Sequence, residues 1–444
     1  MISKDKEYRF YDRLFEKLWP ITRSITGKGI KKSFDIICEY MPIKLEKTKS
    51  GTKVYDWEVP LEWQFNSAKL FGPDGKTYCD SERNNLEVVN YSAPMNDYFN
   101  LEEIKKKIHS IPETPDAIPY VTSYYKENWG FCMPHNKKLE LPNGKYKVEI
   151  DSSFIKGNII TGHAKISGNS SREILLSSYL CHPSMANNEL SGPLVLVGLY
   201  NRIKKWKKHN YSYRFLLNPE TIGSLCFIKN HESHLRKNLL GGLILTCLGG
   251  KNVNSLRYKA SRKENSHFNN LLKYYQNKKD SWIYEDFSPL GGSDERQYCA
   301  PGFNFPVGQI ARDVYGEDKK WYHTSLDTKK SMGIDSIVNS IDQIENLLID
   351  SEYSGNPINL APFGEPQLGK RGLYPNINSS STRNHSNDSI ISNRLFLNYV
   401  LTILSKADGQ NSLIEIASEL KIDLENLKPV IDILISKDLV SYGS

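Results

Sequence analysis

Three rhythms of apolar and polar positions run along the chain. Near the N-terminus Tyr8, Tyr11, Leu14, Phe15 and Leu18 recur at helical spacing, which predicts a helix over 5–19 with one face turned inward. TRSITGKG (Thr22–Gly29) breaks it, and a second helix is expected through KKSFDIICEYM. From about 51 to 150 the runs are short and alternating, rich in Trp and Tyr. They are punctuated by the turn signals GPDG (Gly72–Gly75) and PNG (Pro142–Gly144), the latter ahead of the alternating KYKVEI. This segment reads as a small, mostly β insertion with one helix near 101–109.

Beyond about 151 the rhythm becomes strand, helix, strand, helix. REILLSSYL reads as a buried strand, YRFLLN and GGLILTCL as further strands, and FNFPVGQI as an apolar strand. Between and after them lie helical patterns starting at Ser191, through SLCFIKNHESHLRK, near 267–278 and through GIDSIVNSIDQIENLLI. Buried runs alternating with helices predict an α/β core on a mainly parallel sheet covered on both faces. The stretch 351–392 is loop-like and ends in a Ser/Asn-rich tract, so it is expected to be a linker. The last unit, 393–444, shows three helical patterns and a DLVSYG tail, the outline of a winged-helix-like module. The expected division is an α/β core over 1–50 and 151–350, a β insertion over 51–150, the linker, and the C-terminal module.

Composition narrows the function classes. The chain has 444 residues, 39% hydrophobic and 25% charged, as in ordinary globular proteins. A net charge of +7 is spread thinly and is not the clustered footprint of a nucleic-acid binder. Seven cysteines without a C-x-x-C pair point to reduced thiols and a cytoplasmic location. No apolar run approaches 18 residues and the N-terminus lacks an apolar signal core, so neither a membrane span nor a secretory leader is expected.

Ligands of open parallel sheets bind outside the carboxyl ends of the strands. There the sequence places Cys181–His182, Pro219–Glu220, Gly249–Gly250 and Trp321–Tyr322–His323, with SDERQY (Ser293–Tyr298) just before the last strand. Two imidazoles and a carboxylate with a water in the fourth position make a catalytic zinc set. His182 and His323 are therefore candidate ligands, and Glu220 the candidate proton acceptor. Asn188, in NNELSGP, is either a further ligand or the cap of the next helix. Arg23 and Arg296 either clamp a substrate carboxylate or phosphate, or pair with a neighbouring acid. Asp294 either orients His323 or touches a substrate amine, and Asp327 is expected to cap the following helix.

The order His182, N-N-E-L-S-G, Pro-Glu220-Thr-Ile-Gly-Ser, Gly-Ser-Asp294 and Tyr-His323-Thr-Ser-Leu-Asp resembles the zinc aminopeptidases with paired, co-catalytic metals. More narrowly, LWPITRSITG, PDAIPYVTSYYKENWGFCMPH, GSDERQYCAPGFN, WYHTSLD and EPQLGKRGLYP resemble a bacterial aminopeptidase-like family. Its members carry an inserted β domain and a C-terminal winged helix, and are often associated with polysaccharide biosynthesis. The resemblance implies a zinc exopeptidase-like core and a hydrolase that cleaves a peptide or amide bond next to a free amine.

Three departures stand out. Asn188 occupies the bridging-aspartate position, Leu248-Gly249-Gly250 stands where Val-Gly-Asp is usual, and Ser184 stands where an aspartate orients the histidine. Two zinc ions need a bridging anion, so at most one weakly held zinc is expected, with a small peptide-like or amine-bearing substrate. The alternative is a binding or scaffold protein that keeps the fold without catalysis. DNA binding is the least favoured role, because LENLKPVIDILISKDL sets Lys428 and Lys437 against Glu425, Asp432 and Asp438. No membrane partner is expected, and self-association into a homo-oligomer is an open expectation.

Overall fold

The computed structural model describes residues 4–251, 253–276, 278–312, 320–374 and 393–442. The Ser/Asn-rich stretch 375–392, expected to be linker, lies outside the described residues. The chain divides into two compact units, Met1–Glu345 and Asn346–Ser444.

The first unit is built on an eight-stranded sheet. Its spatial order is Lys44–Lys49, Asn158–Ile166, Ser212–Asn218, Glu173–Tyr179, Leu239–Leu245, Val307–Ala311, Leu256–Lys259 and Trp282–Glu285. The four central strands, from Ser212–Asn218 to Val307–Ala311, run parallel. The sheet is mixed toward its edges: Asn158–Ile166 and Leu256–Lys259 pair antiparallel with their inner neighbours. The four outer strands were not expected from the apolar pattern, because they are short or only partly buried. Lys44–Lys49, for example, exposes four of its six residues. The central runs EILLSSY and SYRFLLN are buried at every position, as strands covered on both faces must be.

One of those buried positions is Arg214. Its guanidinium meets Glu173 on the neighbouring strand through two parallel hydrogen bonds, 2.6 and 3.0 Å. Neither charge is tolerable alone in such a place, so the pair locks two central strands together.

The helix Ser191–Ile203 is buried over its first nine residues, which places it under the sheet's centre rather than on the surface. Gly192 permits this approach: a Cβ there would lie 2.2 Å from Ser178 Oγ and 2.3 Å from the Leu245 carbonyl oxygen. The helix Ile334–Tyr353 presents Ile337, Ile341, Ile344 and Leu348, all buried, as its spacing predicts.

Residues 62–155 contribute a separate antiparallel sheet in the order Thr77–Asp80, Glu62–Phe71, Lys145–Ile155 and Met95–Asn100. Tyr146, Val148 and Ile150 alternate inward, as KYKVEI predicts. The helix expected near 101–109 is shorter, Leu101–Lys105, opened by an Asn100–Glu103 capping box. Ile108–His109 instead pairs with Phe131–Cys132.

In the second unit the helices Asn393–Lys406, Leu413–Glu419 and Leu424–Ser436 enclose Val400, Ile403, Ile416, Leu427 and Ile431. Pro357–Asn359, expected to be linker, forms an antiparallel pair with Val440–Tyr442. Three residues carry too little pattern to be read as a strand; the tail supplies the partner that makes them one. All seven cysteines are free of disulfides, six of them buried. Among the described residues no helix is long and apolar enough to cross a membrane.

Glu173→Ala is expected to destabilise the first unit by about 3–5 kcal/mol, because it strands a buried guanidinium. The check is the urea midpoint; a shift worth less than about 1 kcal/mol would show that Arg214 does not depend on this partner.

Candidate active site

Three central strands end side by side, and the turn Ala186–Leu190 ties their ends together. The Asp327 carboxylate accepts the amide N–H groups of Asn187 and Asn188, each at 2.8 Å. Asn187 Oδ1 accepts the N–H of Gly249 at 2.7 Å, and Ser191 Oγ accepts that of Leu248 at 2.8 Å. Asp327 therefore caps this turn, not the helix that follows it in sequence. A carboxylate suits the unpaired amides at the start of a helical turn wherever in the chain it comes from. Burial pushes its pKa up to about 6 against these hydrogen bonds.

His182 follows the strand Glu173–Tyr179. Its Nδ1 contacts Glu189 Oε2 at 2.8 Å, and Glu189 is wholly buried. Arg23 lies behind both. Its Nε donates to the His182 carbonyl oxygen at 2.9 Å and stands 3.7 Å from Glu189 Oε1, while Nη1 donates to the Leu18 carbonyl oxygen at 2.6 Å. Arg23 is fully enclosed, so it fixes the backbone of His182 and does not reach out to clamp a substrate. Burial disfavours the imidazolium of His182, yet its contacts with Cys181 and Glu189 outweigh burial and raise its pKa.

The histidine-orienting acid is thus Glu189, not a residue two positions downstream. Ser184, which stands there, has a positive φ of 47° and accepts a hydrogen bond from Asn85 Nδ2 at 2.8 Å.

Glu220 follows the strand Ser212–Asn218. Its Oε1 accepts from Ser293 Oγ at 2.6 Å; its Oε2 lies 3.6 Å from His182 Nε2, with the side chain 30% exposed. The next residue, Thr221, has φ 63°, a strained backbone for a β-branched residue. Asp294 holds that turn, accepting from Thr221 N–H at 2.7 Å and Asn218 Nδ2 at 2.9 Å. It is fully buried, and burial together with the charge of Glu220 raises its pKa to about 7. Asp294 therefore neither lines the rim nor orients His323; it positions Glu220. Arg296 is exposed, with Nε donating to the Ser293 carbonyl oxygen at 3.3 Å.

His323 approaches from the far side, at φ 53°. Its ring centroid is 5.6 Å from that of His182 and 4.0 Å from the stacked ring of Tyr322. Burial, then the charge of His182, depresses its pKa to about 3, so the ring is neutral. Tyr120, which sequence reasoning missed, lies against both histidines at 4.9 and 5.6 Å, and its N–H donates to the His323 carbonyl oxygen at 2.8 Å. The aromatic run YVTSYY was its one visible signal.

Asn188 does not cap the helix Ser191–Ile203, which begins without a side-chain cap. Its Nδ2 donates to Tyr179 Oη at 3.1 Å, and its buried Oδ1 has no hydrogen-bond partner. The expected convergence of His182, Glu220 and His323 on one ion is only partial. Among the described residues, the ligand atoms around His182 that lie within 4.8 Å of one another belong to Cys181, His182 and Glu189. Ser293 draws one oxygen of Glu220 aside, and His323 stacks on Tyr322.

Residues 12–352 match a family model described as a domain of unknown function, DUF4910, and residues 356–442 match a winged helix-turn-helix model. A Clostridium acetobutylicum protein, named for polysaccharide biosynthesis and an aminopeptidase-like domain, is 39% identical over 428 residues, 96% of this chain and 95% of its own. A crystal structure of a protein described as a peptidase from the same organism superimposes with TM-score 0.83 at 36% identity, covering 99% of this chain and 97% of that one. The zinc aminopeptidase BSAP of Bacillus subtilis superimposes with TM-score 0.56 at 12% identity, over 78% of this chain and 94% of its own, a likeness of fold. The chain therefore belongs to the DUF4910 family, with an aminopeptidase-like α/β core followed by a winged helix.

Proposed function

We propose that this protein binds an amine-bearing ligand of surface-polysaccharide metabolism in an aminopeptidase-type pocket that has lost paired-zinc chemistry. One observation carries this reading: each polar side chain of the former metal shell is engaged through at least one atom by the protein itself. Asn188 gives its amide to Tyr179, Glu189 serves His182 and Arg23, and Glu220 shares an oxygen with Ser293. Gly250 has no side chain to offer and bridges Met332 through its backbone. Among the described residues of the site, Glu220 is the one carboxylate not fully enclosed, and Ser293 holds one of its oxygens, so these residues do not fit a zinc pair.

The pocket still suits an ammonium group. The Glu220 side chain is partly open, with its Oε2 shared with His182 Nε2 at 3.6 Å, and the neutral His323 and the Tyr120 ring border His182 without adding further positive charge. A charge-assisted hydrogen bond to a carboxylate contributes about 1.5–3 kcal/mol. The polysaccharide connection rests on the name of the Clostridium acetobutylicum relative.

A second reading is a hydrolase with a single zinc, and the unpartnered Oδ1 of Asn188 favours it. His182 Nε2, His323 and that oxygen would hold the ion. It would polarise the scissile carbonyl, and Glu220 would take the proton from the attacking water.

In the second unit, Lys428 contacts Asp350 and pairs with Glu425 at 2.9 Å. That removes one of the two cations of the would-be recognition helix and supports a role other than reading DNA. We expect no sequence-dependent DNA shift at physiological salt; a salt-resistant, sequence-dependent shift would overturn this.

Two further outcomes follow for the site. Purified protein should hold no more than one zinc per chain by elemental analysis, and Asn188→Asp should raise zinc affinity about tenfold in chelator competition. Two tightly held ions would sink the binding-protein reading, whereas one ion with Glu220-dependent hydrolysis of leucine p-nitroanilide would establish the second. Leucinamide, a small free-amine probe, should bind by calorimetry, and Glu220→Gln should weaken it about tenfold. Equal binding to the variant would remove Glu220 from amine recognition.

A further inference from the structure

Beside the histidine pocket lies a second cavity of about 670 Å³, within the range of small-molecule sites. Its walls include the rings of Trp57, Tyr91, Tyr124, Tyr125 and Phe154. Trp57 and Tyr125 meet edge to face at 5.0 Å yet remain 36% and 53% exposed. Exposed aromatic faces on a cavity are costly to leave in water and are available to stack.

The polar lining is mostly of one sign. Asp56, Glu58 and Glu127 stand there against the single cation Lys126. All four are exposed, and none has an ion-pair partner among the described residues. Three unpaired carboxylates beside π faces suit a cation with an apolar flank, since both attract positive charge.

The cavity is connected to the first site. Tyr124 lines it, and the Tyr124 hydroxyl bonds that of Tyr120 at 2.5 Å. Tyr120 is the ring that packs on His182 and His323. Tyr124 also packs in the apolar cluster containing Cys181 and Ile222, which flank His182 and Glu220.

We propose that this cavity is a saccharide subsite for an amino-sugar ring carrying a free ammonium group. The C–H face of the ring stacks on Trp57 and Tyr125, and the ammonium group faces Glu58 and Glu127. The saccharide part of this inference rests on the proposed function; the cation and stacking parts rest on the cavity itself.

The test uses the full chain and calorimetry with three trisaccharides: triglucosamine, its fully N-acetylated form and cellotriose. Triglucosamine should bind at least about tenfold more tightly than the two uncharged sugars. Trp57→Ala, and separately the double variant Glu58→Gln/Glu127→Gln, should each weaken it about tenfold. These side chains are exposed, so folding should be unaffected, and circular dichroism checks this. Absence of triglucosamine binding, equal binding of all three sugars, or binding indifferent to Trp57→Ala would each overturn the inference.

Leucinamide binding separates this inference from the preceding one. If leucinamide binds through Glu220 and triglucosamine does not bind, the subsite is wrong and the amine pocket stands. If triglucosamine binds through Trp57 and leucinamide ignores Glu220→Gln, the subsite stands and the amine pocket is wrong.

Discussion

Glu189 is the buried charge on which the site depends. It is fully enclosed, and a lone carboxylate there would cost several kcal/mol. Its Oε2 is offset by His182 at 2.8 Å, and its Oε1 faces the Arg23 guanidinium at 3.7 Å. Arg23 in turn grips the backbone carbonyls of His182 and Leu18. One carboxylate thereby joins the N-terminal segment, the end of a central strand and the start of a buried helix. Removing Glu189 would take away the acid that both His182 and Arg23 face, so the three hold one another in place.

The same arrangement shows what the acids of the pocket do. Acids in and around it serve the protein: Asp327 ties down the Asn187–Asn188 turn, Asp294 stabilises the strained Thr221, and Glu189 orients His182. Glu220, by contrast, has a partly exposed side chain, with its Oε2 3.6 Å from His182 Nε2. A fold that elsewhere surrounds metals here surrounds a histidine pair with very different proton affinities, one raised by its acid and one depressed by burial. Of that pair, His182 lies 3.6 Å from Glu220.

The segment between the first helices and the main sheet also contributes directly to the site. Tyr120 forms a wall of the histidine pocket, and Tyr124 continues that wall into the aromatic cavity. The hydroxyl pair between them makes one surface of two pockets. Changes in the insertion would therefore reach the histidine pair without touching the sheet.

Periodicity and strand-end chemistry made much of this protein legible. Runs such as REILLSSYL read as buried strands, and strands alternating with helices bring His182, Glu220 and His323 to one edge of a sheet. The missing acids at Asn188 and Gly250 were likewise visible in the letters alone. The short outer strands were not, because a strand of four residues exists by virtue of its partner. Nor were the true roles of Arg23, Glu189, Asp294, Asp327 and Tyr120. Each depends on a neighbour distant in sequence or on the direction in which a side chain leaves a buried turn. Hydrogen-bond partnership is set by distances of about 3 Å between groups that only the folded chain brings together. Sequence spacing could therefore locate the site, but tertiary structure alone decided which of its charges face the ligand and which face each other.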